Sequence, residues 1–353
     1  MFRINHAILH VFDFVSCVNV FSEEELDLTN KNAKKYCVSH AKKALGSIDA
    51  KRGTFADDSM FAGELRSYFR GERDFIDLSV QVAQFLAAEL GHMEKPESCD
   101  LLVLDFEEDA PKPPADATEE EMEAAYKAQG KRHFGMFLLE SRQAYMHEVG
   151  SGETGGTCVD VKRHFAILPN PSQKVSSYAL VDAETLAVSF ADKPREISGE
   201  ERYLIPDGLL QCSSEASSKE VLDTVVRIVE EVADEYGANS AAALSKAKAA
   251  MMSEATEELE YLAPWDLGAE VFDDEPLQRR FEEAVAAEVP ERVPVEKKAV
   301  ERVARNHKIR TDTGIEITFP SEYSTNPDFI EFISEPNGLI SIELKNIGHI
   351  ENR

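Results

Sequence analysis

Ile4-Asn5-His6-Ala7-Ile8-Leu9-His10-Val11 places apolar side chains on both of the faces that a strand presents. A strand apolar on both faces belongs inside a sheet, covered on either side. The strand is predicted over residues 2–14, with a second over residues 15–21. A basic helix follows over residues 30–45, with Asn30 as N-cap and Gly46 past its end. Gly71-Glu72-Arg73-Asp74 leads into an amphipathic helix ending at Gly91, on which Phe75, Leu78, Val82, Phe85 and Leu86 recur at helical spacing.

Strands return at residues 101–106, 134–139, 144–149 and 158–168, and a hairpin pairs residues 178–181 with 186–190 through Asp182-Ala183-Glu184-Thr185. An acidic insertion interrupts them at about residues 107–130. Its Pro111, Pro113 and Pro114 predict an exposed loop, and residues 118–129 a short surface helix. Residues 1–205 therefore read as a strand-rich α+β domain built on a mixed sheet with helices.

Beyond Pro206 the period changes to that of a helix. Leu222, Val225, Val229, Val232 and Tyr236 form one stripe, Gly237 breaks it, and a second helix carries Leu244, Met251, Ala255, Leu259 and Leu262. The pair predicts an αα-hairpin, with a coiled-coil dimer seam as the alternative use of the stripe. Further helices are expected over residues 275–288 and 295–306, completing a helical region over 206–306. Residues 307–353 return to short strands, at 308–320, 329–334 and 339–345, with Pro336-Asn337-Gly338 as a turn.

At 353 residues the chain is long enough for two domains, or for one large core with a satellite. Cys17, Cys37, Cys99, Cys158 and Cys212 are scattered and odd in number, with no CxxC pair. That pattern fits a reducing cytosol and argues against a disulfide framework or a structural zinc site. Asn5, His6, His10 and Asp13 interrupt the apolar start, so no signal peptide is read there, and no run approaches membrane-spanning length. A soluble, cytoplasmic protein is expected.

The net charge of −28 repels polyanions at long range, whereas a generic DNA-binding chain is basic. The charge is unevenly spread. Residues 29–52 hold seven Lys/Arg against one acid, and residues 97–125 hold eleven acids against Lys112. Residues 215–290 carry nineteen acids and six bases, and residues 291–310 swing back with seven bases against three acids. Two cationic islands thus stand out. On the first, Lys31, Lys34, Lys35 and Lys42 fall on one helical side with Lys43 beside them. On the second, Lys298, Arg302 and Arg305 share a face that runs into His307, Lys308 and Arg310. Clustered cations can displace counterions from phosphates without reading bases. The competing interpretation is a solvated lysine face, or one paired with the many acids of the chain. Neither island interleaves aromatics, so stacking on single strands is not indicated.

Other chemistry is weakly supported. Gly150-Ser151-Gly152-Glu153-Thr154-Gly155-Gly156-Thr157 has the spacing of a phosphate-binding loop, but Gly156 stands where the lysine is needed and strands flank it, so a hairpin loop is the better reading. His6 and His10 lie four apart on a strand, which suits packed positions better than a ligand pair. Glu119-Glu120-Glu121 and Glu257-Glu258 lack a calcium-loop pattern and read as solvated faces. With no GxSxG elbow, no catalytic residue set, cofactor or metal site is predicted.

Several blocks resemble the bacterial nucleoid-associated protein family of the NdpA/YejK type. They are the opening 4–11 run, Lys51-Arg52-Gly53 through Tyr68-Phe69-Arg70-Gly71-Glu72 to Asp74-Phe75-Ile76, and Ile167-Leu168-Pro169 with Gln173-Lys174-Val175 and Ala179-Leu180-Val181. Val271-Phe272-Asp273-Asp274-Glu275 continues the series ahead of Leu277 and Phe281. Lys308-Ile309-Arg310-Thr311-Asp312-Thr313-Gly314-Ile315-Glu316-Ile317 is the most distinctive block, followed by Ile330-Glu331-Phe332-Ile333, Pro336-Asn337-Gly338 and Lys345-Asn346-Ile347-Gly348. The resemblance implies nucleoid association and brings no catalytic set; the acidic insertion looks particular to this chain. Together with the islands it leads to a non-enzymatic protein that meets double-stranded DNA directly or through a partner. The alternative is an acidic interaction module or DNA mimic acting on a DNA-handling protein, and a hidden nuclease or nucleotide hydrolase is a third class. A homodimer is left open.

Overall fold

The computed structural model describes residues 2–110, 118, 130–151, 156–254, 261–262, 264, 266–289, 293–295, 297–334 and 339–351. Two compact units, Met1–Glu215 and Ala216–Arg353, make up the chain, and the second contains both the helices and the C-terminal strands. The first unit begins with β1 (Arg3–Asp13), β2 (Val18–Val20), β3 (Lys51–Gly53), β4 (Cys99–Glu107) and β5 (Arg132–Glu140). A long hairpin follows, β6 (Arg142–Ser151) and β7 (Thr157–Ile167), and then β8 (Ser177–Asp182) and β9 (Val188–Ala191).

All of these except β6 and β7 join one seven-stranded sheet, in the order β2-β1-β4-β5-β8-β9-β3. The expected mixed sheet is antiparallel at every pairing. The connections from β1 to β2 and from β8 to β9 are shorter than the dozen residues that a parallel crossover needs. β4 lies inside the sheet between β1 and β5, and Cys99 to Phe106 are buried along it on both faces. On one face Leu102, Leu104, Phe106, Phe137, Leu139 and Leu180 pack with Cys37, Ala41 and Ala44 of α1 (Lys31–Leu45). On the other, Leu101, Val103, Phe134, Met136 and Val181 pack with α2 (Met60–Phe69) and α3 (Phe75–Gly91). A bulge between Ile4 and His6 brings Ile4 and Ala7 to the same face although they are three apart.

Elements of the first unit depart from the sequence reading, among them α2, β2 and a π-helix. α2 was not expected; its signal is the Ser59 cap, whose hydroxyl accepts from the Ala62 N–H, followed by Phe61, Leu65 and Tyr68 along one face. β2 covers only part of residues 15–21, because Cys17 turns the chain at φ 57°. A π-helix, Leu204–Leu210, begins ahead of the boundary expected at Pro206. The expected loop at Pro111, Pro113 and Pro114 lies outside the described residues, as does all but Thr118 of the helix expected over 118–129.

In the second unit the helix Ser218–Glu235 starts at a capping box between Ser217 and Glu220. Its stripe of Val221, Leu222, Val225, Ile228, Val229 and Val232 is buried within the protomer, so the apolar seam is already occupied. Gly237, at φ 67°, ends the run, and the next helix is Ser240–Glu254. That helix stops short of the expected end: Leu262 belongs to a two-residue strand paired with Val293–Pro294, while Ala255 and Leu259 lie outside the described residues. Glu275–Glu288 is helical as expected, whereas the helix expected over 295–306 is Lys297–Ala304. The strand expected over 308–320 is a hairpin, Asn306–Arg310 with Glu316–Pro320. Gly314 at φ 87° makes its turn, and the Thr311 hydroxyl accepts from the Ile315 N–H. Ile330–Ser334 pairs with Ile340–Leu344; the turn expected at 336–338 lies outside the described residues. Among the described residues no helix is long and apolar enough to cross a membrane.

Candidate nucleic-acid interface

α1 is capped by Asn30, whose side chain accepts from the Asn32 N–H at 2.9 Å, and Gly46 follows its last turn. Its inward stripe is Cys37, His40, Ala41 and Ala44, which turns Lys31, Lys34 and Lys35 to solvent. The first turn holds no acid. Cations near a helix N-terminus oppose its dipole, so these lysines are not there to stabilise the helix. Among the described residues none of the three makes an ion pair or side-chain hydrogen bond. Lys42 and Lys43 differ. Lys42 lies 3.7 Å from Asp109 and 5.0 Å over the Phe2 ring. The Lys43 ammonium donates to the carbonyls of Ser172 at 2.7 Å and Gln173 at 2.6 Å, fastening that loop to α1 together with the Tyr36 hydroxyl, which donates to the Pro169 carbonyl.

The second island is set by the short helix Lys297–Ala304, which buries Ala299, Val300 and Ala304 and leaves Lys298 and Arg302 exposed. Arg305 follows in the open. The strand Asn306–Arg310 then alternates, with His307 inward and Lys308 and Arg310 outward. Lys308 is paired with Glu316 at 3.0 Å. Lys298, Arg302, Arg305 and Arg310 have no ion pair among the described residues. His307 sits edge-on to Phe319 with neither ring nitrogen hydrogen-bonded, and burial pushes its pKa down to about 4, so it stays neutral and adds no charge.

The two histidines of β1 are packed in different ways. His6 lies 2.9 Å from Glu25 and stacks on Phe75. His10 is fully buried: its Nδ1 accepts from the Ser22 N–H, so its proton sits on Nε2 and is donated to the Ser79 hydroxyl. The phosphate-loop lookalike is flanked by β6 and β7, with Gly150 opposite Cys158, so no helix follows it; residues 152–155 lie outside the described residues.

Sequence reasoning missed a buried ionic cluster. Asp105, near the C-terminal end of β4, accepts from the Tyr68 hydroxyl, from Arg132 Nε at 3.0 Å and Nη2 at 2.5 Å, and from Asn5 Nδ2 at 2.9 Å. Its partners come from three other elements, β1, α2 and β5, which no local spacing could reveal. With every oxygen engaged, Asp105 has no capacity left for a ligand, and its role is to tie the sheet to α2.

The family of nucleoid-associated protein YejK matches this chain over residues 8–351. The chain belongs to that family. No curated protein matches it. Membership carries nucleoid association, and the match takes in both units and both basic islands. The block resembling the family at Lys308 to Ile317 forms the hairpin beside the second island, with Gly314 at its turn.

Proposed function

We propose that this chain is a non-enzymatic nucleoid-associated protein that meets double-stranded DNA through its phosphates. Lys298, Arg302, Arg305 and Arg310 make the principal contact, and Lys31, Lys34 and Lys35 a further one. Lys42, Lys43 and Lys308, already engaged within the chain, contribute less. The supporting observation is the contrast within one unit. Arg227, Arg279, Arg280 and Lys246 each sit against a carboxylate, whereas of the five cations named in the 298–310 island only Lys308 does among the described residues. In so acidic a chain, cations clustered apart from carboxylates suit a partner that brings its own negative charge. Burial raises the Cys37 and Cys212 thiols to about 11 and Cys99 to about 12, which makes them poor nucleophiles and fits a reading without catalysis.

A salt titration of duplex binding by the full-length protein tests this. The four principal contacts contribute about −3.6 to the slope of log K against log salt, and Arg302→Glu with Arg305→Glu removes about half of that share. Unchanged affinity and slope in that variant and in Lys34→Glu with Lys35→Glu would remove direct contact and leave the partner route to the nucleoid.

A second reading rests on the exposed Glu230, Asp234, Glu282 and Glu283 of the helical region, which have no ion pair among the described residues. Such a surface suits an acidic module docking on a basic, DNA-handling protein. Partners retained after nuclease treatment of a pull-down favour it, and partners lost with the DNA favour direct binding. Metal-dependent degradation of DNA by the pure protein would instead revive a nuclease.

A further inference from the structure

Among the described residues the β6–β7 hairpin stands apart from the seven-stranded sheet and pairs only with itself. Nearly every described position along it is exposed. A lone two-stranded hairpin is marginal in water, and its stability normally comes from something packed on one of its faces. The register divides its side chains. Tyr145 opposite Arg163, His147 opposite Val161, Val149 opposite Val159 and Ser151 opposite Thr157 share one face. On that face Tyr145 is 71%, Val149 61%, Val159 64% and Val161 66% exposed. The other face carries Glu148, Asp160, Lys162 and His164, with Lys162 bridged to Glu148 and Met146 as its one large apolar side chain. The hairpin is therefore amphipathic, with its apolar side turned to solvent.

We propose that this face is the contact between two copies of the chain, packed face to face about a two-fold axis that crosses the ribbon at its middle. Three observations select a second copy. First, none of the eight residues on the face is acidic, in a chain of net charge −28. Like-charged copies can meet only where the repulsive carboxylates are absent, and Arg163 and His147 add none. Second, the face is self-complementary. The two-fold axis reverses the ribbon, so Val161 meets the partner's Val159 and Val149 meets the partner's His147. Tyr145 and Arg163 at one end meet the partner's Ser151 and Thr157, hydroxyls that can accept their hydrogen bonds. Third, duplex DNA fits poorly, because three valines occupy the centre where a groove-reading ribbon needs polar and cationic side chains. The strands are about 30 Å long and the pair about 10 Å wide. Such a footprint falls short of the roughly 800 Å² per partner of a stable interface, so the dimer forms and dissociates with concentration.

Sedimentation velocity of the full-length protein over a wide concentration range tests the proposal. The wild type should pass from monomer to dimer. Val161→Glu and Val159→Lys should each remain monomeric under the same conditions, an affinity loss of at least about tenfold, with unchanged circular dichroism because both positions face solvent in the monomer. An equimolar mixture of the two variants should regain the dimer mass, since the carboxylate introduced at position 161 of one copy then faces the ammonium introduced at position 159 of the other; this recovery excludes simple misfolding. A wild type that stays monomeric at the highest concentration, or variants that associate as it does, would overturn the proposal. So would a monomeric wild type whose duplex binding is abolished by Val161→Glu, which would assign the face to DNA.

Discussion

His10 and His40 are buried neutral, both lowered from 6.5 to about 4 by desolvation, with Lys43 adding to the effect at His40. Neither ring nitrogen of His40 is hydrogen-bonded; the ring packs between Tyr36 and Phe137. The unfolded chain takes up protons below 6.5 and the folded one does not, so stability is lost as pH falls from about 6.5 toward 4. The loss is about 3 kcal/mol at most for each histidine. His40→Leu should flatten the melting temperature against pH across that window. Asp100 works in the opposite direction. Burial raises its carboxyl to about 6, so ionisation destabilises the fold as pH rises from 3.8 to about 6. Asp100→Asn should raise the melting temperature at pH 8 and leave it unchanged near pH 4, where the wild-type carboxyl is protonated. Arg132→Ala leaves the buried Asp105 without its cation and should cost about 3–5 kcal/mol in a urea titration, with Arg132→Lys recovering only part.

Elements with their own start and stop signals were readable from the sequence. Asn30 with Gly46 and Asp74 with Gly91 bound α1 and α3 where the periodicity put them, and Glu275–Glu288 likewise. Elements defined by their neighbours were not. β2 is cut short by the turn at Cys17, the Lys308 to Pro320 run folds back at Gly314, and α2 is short enough that its cap and stripe were missed. Gly135 shows how tightly neighbours constrain an element. A Cβ there would lie 3.0 Å from the Phe137 ring and 3.2 Å from both Leu180 and Phe106. Gly135→Val should therefore lower stability by about 1–3 kcal/mol, measured as a shifted urea midpoint at constant slope.

Over the whole molecule, the charge of −28 acts on folding and on binding with opposite dependence on salt. Self-repulsion within the chain is screened as ionic strength rises, while contacts to phosphates weaken with it. Between about 0.01 and 0.15 M salt the screening length falls from about 30 to about 8 Å. The melting temperature should rise over that range while duplex affinity falls. A melting temperature that drops instead would mean that the many surface ion pairs outweigh the net repulsion.

Helix periodicity, caps and the two cationic islands depend on residues within a few positions of each other, and the sequence alone was enough for them. Which of those cations remain available depended on the tertiary structure. Lys42 meets Asp109, and Lys43 meets carbonyls at 172 and 173, across long stretches of chain. The amphipathic face of β6 and β7 likewise arises only once the strands pair, because register determines which residues stand opposite one another. Charge neutralisation and strand register are pairings between distant positions, and one-dimensional spacing does not encode them.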